Sequence, residues 1–241
     1  MNSKKGKTNS KQSPQNKELE RLAIKTHFVN RGESYIDLIS RYVTPIYSQD
    51  DILFISEKVV SLCQNNVVEK KNVKLGFWAK FLSKFASVSS RGSGMDEPYR
   101  LQLAINVAGL PRILLACFCS AITKLFGKRG VFYTVAGNGI REMDGFERVT
   151  AFDLYREIAI LAPLQPNEVC NEIYEKCNVN AVIVDVNDVG VNILGCSDNL
   201  KNFKTAELVS FIKDNPAGQD DELTPFVLVR QPKTQFIMLM G

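Results

Sequence analysis

The chain has 241 residues, of which 45% are hydrophobic and 23% charged, so it is long enough to bury one substantial core or two modest ones. Its six cysteines contain no C-x-x-C pair. The sequence has a single histidine, His27, to add to cysteines in a metal site with sulfur and nitrogen ligands. These features argue against a disulfide-stapled small fold and against a structural zinc site. The cysteines are expected to be small buried hydrophobic residues in a reducing compartment, which predicts a cytoplasmic protein.

The net charge of +4 is concentrated at the N-terminus. Residues 1–17 carry five lysines and no acidic residue, while the remaining chain has 25 basic and 26 acidic residues. Because Ser, Asn, Gln and Gly fill the rest of this tail, it cannot bury enough apolar surface to fold. We therefore expect a disordered basic tail over residues 1–20 and one domain over residues 21–241. A solvated tail is favoured over contact with nucleic acid or an anionic membrane, and the tail lacks the apolar core of a signal peptide.

The first part of the chain alternates short strand patterns with helical ones. In chain order, the patterns predict a strand over 22–29, a helix over 34–42, a buried strand over 52–55, a second β-rich segment over 59–68, a helix over 78–86 and a loop rich in serine and glycine over 88–97. The first helix is predicted because its apolar residues, from Ile36 to Tyr42, share one face.

The second part contains the longest helical patterns. They predict two helices within 99–125 that are divided at 109–111, a strand over 131–135 with a glycine turn at 136–139, a helix over 166–177, a hairpin of strands 181–184 and 192–194, and a late strand over 226–229. Pro111 divides the first two helices because proline cannot continue a helix that precedes it. This mixture of elements predicts an α/β protein, of the α+β type with mixed sheets.

The segment 111–125 is the part of the sequence that resembles a membrane segment. It is shorter than the roughly 20 apolar residues that span a bilayer, and it is flanked by Arg112 and Lys124. A buried core helix is therefore favoured here over peripheral membrane contact, and no membrane span is expected.

Polar side chains follow the predicted strand over 181–184. Asp185, Asn187 and Asp188 offer hard oxygen ligands at its carboxyl end, and a second acidic cluster lies at 214–222. Such oxygen ligands suit a divalent metal, and a divalent metal commonly serves phosphate chemistry. The same residues are also ordinary in turns, so metal binding and turn formation both stay open at this point.

The common phosphate-binding motifs are absent from the sequence. There is no G-x-x-x-x-G-K-[ST], and Gly137 and Gly139 lack the third glycine of a dinucleotide fingerprint because Glu142 stands there. A different combination is present, since Lys58 follows the strand over 52–55. Lysine and backbone amides can hold phosphate oxygens while carboxylate and amide oxygens hold Mg²⁺ or Mn²⁺, as metal-assisted phosphoryl transfer requires. With one histidine and no G-x-S-x-G, a Ser-His-Asp apparatus is not expected.

Four segments, in chain order, resemble the coenzyme F420-0:L-glutamate ligase family, the F420 γ-glutamyl ligases. Residues 51–61 (DILFISEKVVS) resemble its "D-x-hydrophobic-x-x-x-x-K-hydrophobic-x-S" segment, and residues 130–137 (GVFYTVAG) resemble its "G-x-x-x-A-x-A-G" strand and turn. Residues 182–195 resemble its "V-I-x-S-D-T" strand, and residues 218–230 resemble its "G-Q-x-x-E-x-x-P-V-V-x-V-R" ending. The resemblance covers most of residues 22–230 and is closer to an uncharacterised bacterial branch than to the archaeal enzymes.

The resemblance implies the F420 γ-glutamyl ligase-like fold and a GTP-dependent ligase that needs a divalent metal, Mg²⁺ or Mn²⁺. Such a ligase activates a carboxylate as an acyl phosphate, and the amine of L-glutamate then attacks it to form an amide. The carboxylate would belong to coenzyme F420-0 or to a similar cofactor such as a folate. The resemblance also implies a homodimer, and neither nucleic acid nor a membrane span is expected.

Carried over residue by residue, the resemblance places Lys58 on the nucleotide phosphates. The nucleotide-binding residues would be Ser56, Glu57, Lys58, Gly137 and Gly218. The metal-binding residues would be Asp185 and Gln219 by resemblance, and Asp188 and Asp144 by their own chemistry.

The sequence departs from the family at two positions of the implied metal site. Gly139 stands where the archaeal enzymes have a metal-binding aspartate, and Val186 stands where they have threonine. Glu142 or Asp144 is a candidate to replace that aspartate from the same turn. The alternative function is therefore a non-catalytic relative that binds a nucleotide or small ligand on the same fold.

Overall fold

The computed structural model of the chain describes residues 19–86, 94–128, 130–137, 139–147, 153–187, 190–218 and 222–230. Within these residues the chain forms helices and two β-sheets, one of which contains both parallel and antiparallel pairs. The predicted α/β class with mixed sheets is therefore confirmed. The predicted tail lies outside the described residues except for residues 19 and 20, and so does most of the predicted loop over 88–97.

The strands and helices follow one another along the whole described chain. The strands are β1 (Glu20–Ile24), β2 (Ile52–Ser56), β3 (Val67–Glu69), β4 (Asp144–Gly145), β5 (Ile158–Ile160), β6 (Ala181–Asn187), β7 (Gly190–Cys196) and β8 (Phe226–Arg230). The helices are α1 (Tyr35–Tyr42), α2 (Glu57–Cys63), α3 (Phe77–Leu82), α4 (Pro98–Ala108), α5 (Leu110–Leu125), α6 (Val131–Ala136), α7 (Leu154–Glu157), α8 (Pro166–Cys177) and α9 (Thr205–Ile212). Single 3-10 turns lie at Thr44–Ile46, Lys70–Asn72, Ser83–Phe85 and Asp198–Leu200.

The larger sheet has five strands in the order β1-β8-β2-β6-β7. Strands β2 and β6 run parallel, and the other neighbouring pairs are antiparallel. One face packs against α1, α2 and α8, and the other packs against α9. Because both faces are covered, the central strands are continuous apolar runs rather than alternating ones.

The smaller sheet has three antiparallel strands in the order β3-β5-β4. Beside it, α3, α4, α5 and α6 pack around a separate core that includes Leu101, Ile113 and Phe146. Helix α2 connects the two halves, since its Leu62 packs against Ile158 and the rest of β5. The described structure thus has two halves, the larger sheet with a core on each face and the smaller sheet with a core among its helices, and α2 lies between them.

Two strand predictions are wrong. Residues 59–63 belong to α2, and of the predicted β-rich segment only β3 is a strand. Residues 131–135 belong to α6. Both segments are rich in residues that favour strands, but packing overrides that preference: Val60 of α2 is buried beneath the larger sheet, and Ala136 of α6 is buried among the helices.

The first predicted strand, over 22–29, is confirmed only as far as Ile24, where β1 ends. The remaining predicted elements are confirmed within a few residues. Helix α1 begins after Ser34, whose hydroxyl accepts a hydrogen bond from the Asp37 N–H. Gly109, with φ 84°, separates α4 from α5, and α8 begins at Pro166 as predicted. Among the described residues, no single helix is long and apolar enough to cross a membrane; α4 and α5 meet that test only as a pair, and they are bent by 118°.

Candidate functional site

The parallel pair of strands brings two segments with predicted site residues to one end of the larger sheet. Ser56 of β2 lies opposite Val184 of β6 in the register of this pair. The residues that follow, Glu57 and Asp185, therefore come side by side. The space beyond the carboxyl ends of parallel strands is the usual position of ligand sites in such sheets.

Glu57 is a buried carboxyl at the start of α2, with 5% of its surface exposed. Within the described structure its Oε2 atom accepts no hydrogen bond. Burial, and then the nearby negative charge of Asp185, raise the pKa of Glu57 to about 9, although Lys58 acts in the opposite direction. Glu57 is therefore a neutral carboxyl at physiological pH, and Glu142 and Asp144 add to the negative potential around it.

Lys58, the next residue of α2, forms an ion pair with Asp144 of β4. The Asp144 carboxylate is also 3.3 Å from the Arg100 guanidinium, and it accepts a hydrogen bond of 2.9 Å from the Gly145 N–H. Burial favours the neutral form of Asp144, but the charges of Lys58 and Arg100 outweigh it and hold the pKa of Asp144 below its ordinary value. Burial likewise opposes the charge on Lys58, but Asp144 raises the pKa of that lysine above its ordinary value.

The turn between α6 and β4 completes the cluster. Asn192 of β7 donates a hydrogen bond of 3.0 Å to Glu142 in this turn, and Asn192 lies opposite Asp185 in the β6–β7 register. Gly139, earlier in the turn, has φ 72°, and a Cβ at this position would lie 2.9 Å from the Cβ of Ala162. An aspartate at position 139 would therefore be both strained and crowded, and the turn presents Glu142 and Asp144 instead.

Five of the predicted site residues come together at this junction between the two sheets. They are Ser56, Glu57, Lys58, Asp144 and Asp185. Arg100 and Asn192 join them but were not predicted. Arg100 lies 44 residues from Asp144 in the chain, and no local pattern in the sequence points to that contact. Asn192 could have been found from the predicted hairpin, because its register places residue 192 beside Asp185.

The two predicted glycines lie in turns near this end of the structure. Gly137 ends α6 with φ 58°, and a Cβ there would lie 2.8 Å from the Arg112 guanidinium. Gly218 has φ 78° and donates its N–H to the Asn215 carbonyl in the segment before β8, a strand that pairs with β2. The described contacts of these glycines do not reach Glu57.

The metal prediction rests partly on residues beyond the described structure, since Asp188 and Gln219 are not among the described residues. Within the described ranges, no three Asp, Glu, His or Cys side chains form a group that could hold an ion. Asp185 and Glu142 offer the hard oxygen ligands that a divalent cation takes, and both contribute negative charge near Glu57. Asp144 is already held by Lys58 and Arg100.

The arrangement can do two things chemically. Lys58, whose side chain is 43% exposed, offers a positive charge beside Asp144, as an anionic ligand would require. Glu57 offers a neutral carboxyl, whose O–H can donate a hydrogen bond. The chain matches no known family of proteins among the family models compared with it, and no curated protein is similar enough to it to indicate a relative.

Proposed function

We propose that the protein is a GTP-dependent and divalent-metal-dependent γ-glutamyl-type ligase. It joins L-glutamate to a carboxylated cofactor, coenzyme F420-0 or one of similar chemistry, through an acyl phosphate. One observation carries the proposal: Lys58, Asp144 and Asp185, drawn from three segments that are distant in the sequence, converge around Glu57. The motifs that resemble the F420-0:L-glutamate ligases lie in the same segments or next to them.

Two basic residues of the junction, Lys58 and Arg100, allow a nucleotide phosphate to bind and dissociate. Lys58 would bind phosphate oxygens, with Ser56 and Glu57 beside it. When Lys58 exchanges Asp144 for a phosphate oxygen, Asp144 keeps its contact with Arg100 and its hydrogen bond from Gly145. The exchange therefore leaves no buried carboxylate without compensation, which keeps its free-energy cost low.

The neutral state of Glu57 supports the same proposal. An ionised carboxylate next to Lys58 would repel the phosphate oxygens, whereas a protonated one can donate a hydrogen bond to them. The residues that would hold Mg²⁺ or Mn²⁺ are Asp185, Asp188 and Gln219, joined by Asp144 once Lys58 has moved from it to the phosphate. A metal bound there would stabilise the negative charge that develops on the transferred phosphoryl group.

A second candidate is a relative that binds a nucleotide or small ligand without chemistry. Gly139 favours it, because the backbone there excludes the aspartate that the archaeal enzymes use for metal binding. The two candidates differ in whether bound GTP is consumed when L-glutamate and an acceptor are present.

Oxygen labelling separates the two. The acceptor carboxylate of F420-0, or of a folate in a parallel sample, is labelled with ¹⁸O and incubated with the protein, GTP, Mn²⁺ and L-glutamate. One carboxylate oxygen attacks the γ-phosphorus as GDP leaves; the glutamate amine then attacks the carbonyl carbon, and phosphate departs with that oxygen. We expect amide product and phosphate that carries one ¹⁸O atom. Amide formation with unlabelled phosphate would exclude the acyl phosphate, and bound GTP that is never consumed would favour the non-catalytic candidate.

A further inference from the structure

The helices α3 to α6 lie in a strongly basic part of the chain. Residues 70–141 contain twelve basic residues and only two acidic ones, Asp96 and Glu97, although the whole chain carries a net charge of only +4. These helices share one core and so form a single helical layer, and Lys80, Lys84 and Lys128 are exposed on it or just beyond it. Exposed lysines of this kind attract anionic surfaces.

The same layer exposes aromatic side chains on α3 and the turn after it. Phe77 is 70% exposed and Phe85 is 73% exposed, and the two are linked through Phe81, with ring centroids 5.8 Å and 5.2 Å apart. Trp78 packs edge-on against Phe77 and Phe81. We call these four residues the α3 aromatic cluster. Lys80 and Lys84 alternate with them in the sequence, and both are exposed.

Helix α5 exposes a second apolar surface. Leu115, Phe118, Ile122 and Leu125 recur every three or four residues, so they form one stripe, and Leu125 is 84% exposed. We call these four residues the α5 stripe. Lys128 follows just beyond the helix and is exposed. The prediction of a buried core helix therefore holds for the opposite side of α5, where Ile113 and Ala116 are buried, and is wrong for this side.

We propose that this helical layer is a docking surface for an anionic lipid bilayer. Exposed aromatic and leucine side chains next to lysines are the combination that inserts into the headgroup region while the ammonium groups contact lipid phosphates. Apolar insertion and a basic surface together give stable binding where either alone gives weak binding.

Two other occupants fit the observations less well. A second copy of the chain meeting this layer face to face would bring two basic surfaces together, which is unfavourable. A nucleic acid would account for the lysines, but it does not account for the exposure of aliphatic residues such as Leu115 and Leu125. A bilayer accounts for both properties.

Trp78 is the only tryptophan in the chain, so its fluorescence reports on the α3 aromatic cluster. The full-length protein is mixed with vesicles of phosphatidylcholine alone, or with about one third phosphatidylserine, and sedimented. We expect binding to the anionic vesicles, a blue shift of the emission and quenching by brominated acyl chains. The binding should weaken as salt is added.

Variants test the two contributions separately. Replacing Lys80, Lys84 and Lys128 by Gln should weaken binding about 100-fold, since each lysine near an anionic surface contributes about fivefold. Phe85→Ser or Leu125→Ser should also weaken it, and both positions are exposed enough for the fold to tolerate the change. The matched controls are Lys201, Lys204 and Lys213→Gln on the α9 side and Leu164→Ser, all exposed in the structure. A further control replaces the five lysines of residues 1–17 by Gln.

The control variants should bind as the unaltered protein does. The proposal is overturned if anionic vesicles do not bind, if binding depends on the tail lysines and not on Lys80, Lys84 and Lys128, or if Trp78 is unchanged in the bound protein. It is likewise overturned if the blue shift follows protein concentration without lipid, which would indicate a second copy, or if only a nucleic acid binds.

Discussion

Asp144→Asn should lower the free energy of unfolding by about 3–5 kcal/mol, the usual cost of removing one partner from a buried charge network. Asn has nearly the same shape as Asp, so packing around β4 is retained and only the charge is lost. Arg100, whose side chain is 8% exposed, would then keep its hydrogen bond to the Met143 carbonyl but lose its carboxylate. Urea denaturation followed by circular dichroism measures the change.

Two further variants show whether the buried charge is responsible. Asp153→Asn removes a carboxylate that is 95% exposed and 3.7 Å from Arg156, so it should cost well under about 1 kcal/mol. Lys58→Met leaves Asp144 with Arg100, and Lys58 is 43% exposed, so its cost should also be small, about 1 kcal/mol. If Asp144→Asn is no more destabilising than Asp153→Asn, the charge network does not hold the junction together.

Glu57→Gln should stabilise the protein in neutral and alkaline solution. The pKa of Glu57 is raised from an ordinary value of 4.5 to about 9 by burial and by the neighbouring Asp185, so the folded state binds a proton that the unfolded state releases. The stability that comes from the neutral form is complete below about pH 4.5 and is lost as the pH rises toward 9. Glutamine stays neutral at every pH, and at pH 7 it should therefore gain on the order of 3 kcal/mol over the unaltered protein.

Urea midpoints between about pH 5 and pH 9 measure this difference, which should widen as the pH rises. Glu175→Gln is the matched control, because Glu175 also lies on a helix but is exposed. It should follow the pH dependence of the unaltered protein. A Glu57→Gln variant that does the same would show that Glu57 is ionised in the folded protein.

The elements that the sequence predicted correctly are those with local signals. Helix α8 begins at Pro166 and ends before Asn178. Asn178, with φ 54°, has the left-handed conformation that commonly follows the last residue of a helix. The β6–β7 hairpin follows from two strong strand patterns joined by a short polar segment. The wrong elements, α2 and α6, have strand-like composition, and only their packing against other segments makes them helical.

The residues of the candidate site also divide into those with local sequence signals and those that only packing brings together. The sequence placed Lys58 and Asp185 after two strands, but it did not show that these strands are parallel neighbours, which is what brings them together. The ion pair of Lys58 with Asp144 joins α2, which packs under the larger sheet, to β4 of the smaller sheet. The hydrogen bond between Asn192 and Glu142 joins β7 of the larger sheet to the turn before β4. Contacts of this kind depend on how the two halves pack together, and the hydrophobic pattern of a single sequence does not predict that packing.

The position of the site between two cores has a consequence for ligand binding. Glu57 and Lys58 belong to α2, which packs under the larger sheet and also contacts β5 of the smaller one. A ligand that binds both Asp185 of the larger sheet and Asp144 of the smaller one would therefore connect the two halves and stabilise the whole fold. This makes thermal stability a sensitive measure of occupancy.

The central claim, that the junction binds a nucleotide together with a metal, is tested most directly by thermal unfolding with GTP in the presence and absence of Mn²⁺. At about a hundredfold excess over Kd, binding contributes about 2.7 kcal/mol, which for a chain of this length raises the Tm by about 5–10 °C. The account predicts this rise with GTP and Mn²⁺ together, a much smaller one with GTP alone, and none in Asp185→Ala. No rise with GTP or ATP under any of these conditions, or a full rise in Asp185→Ala, would contradict it.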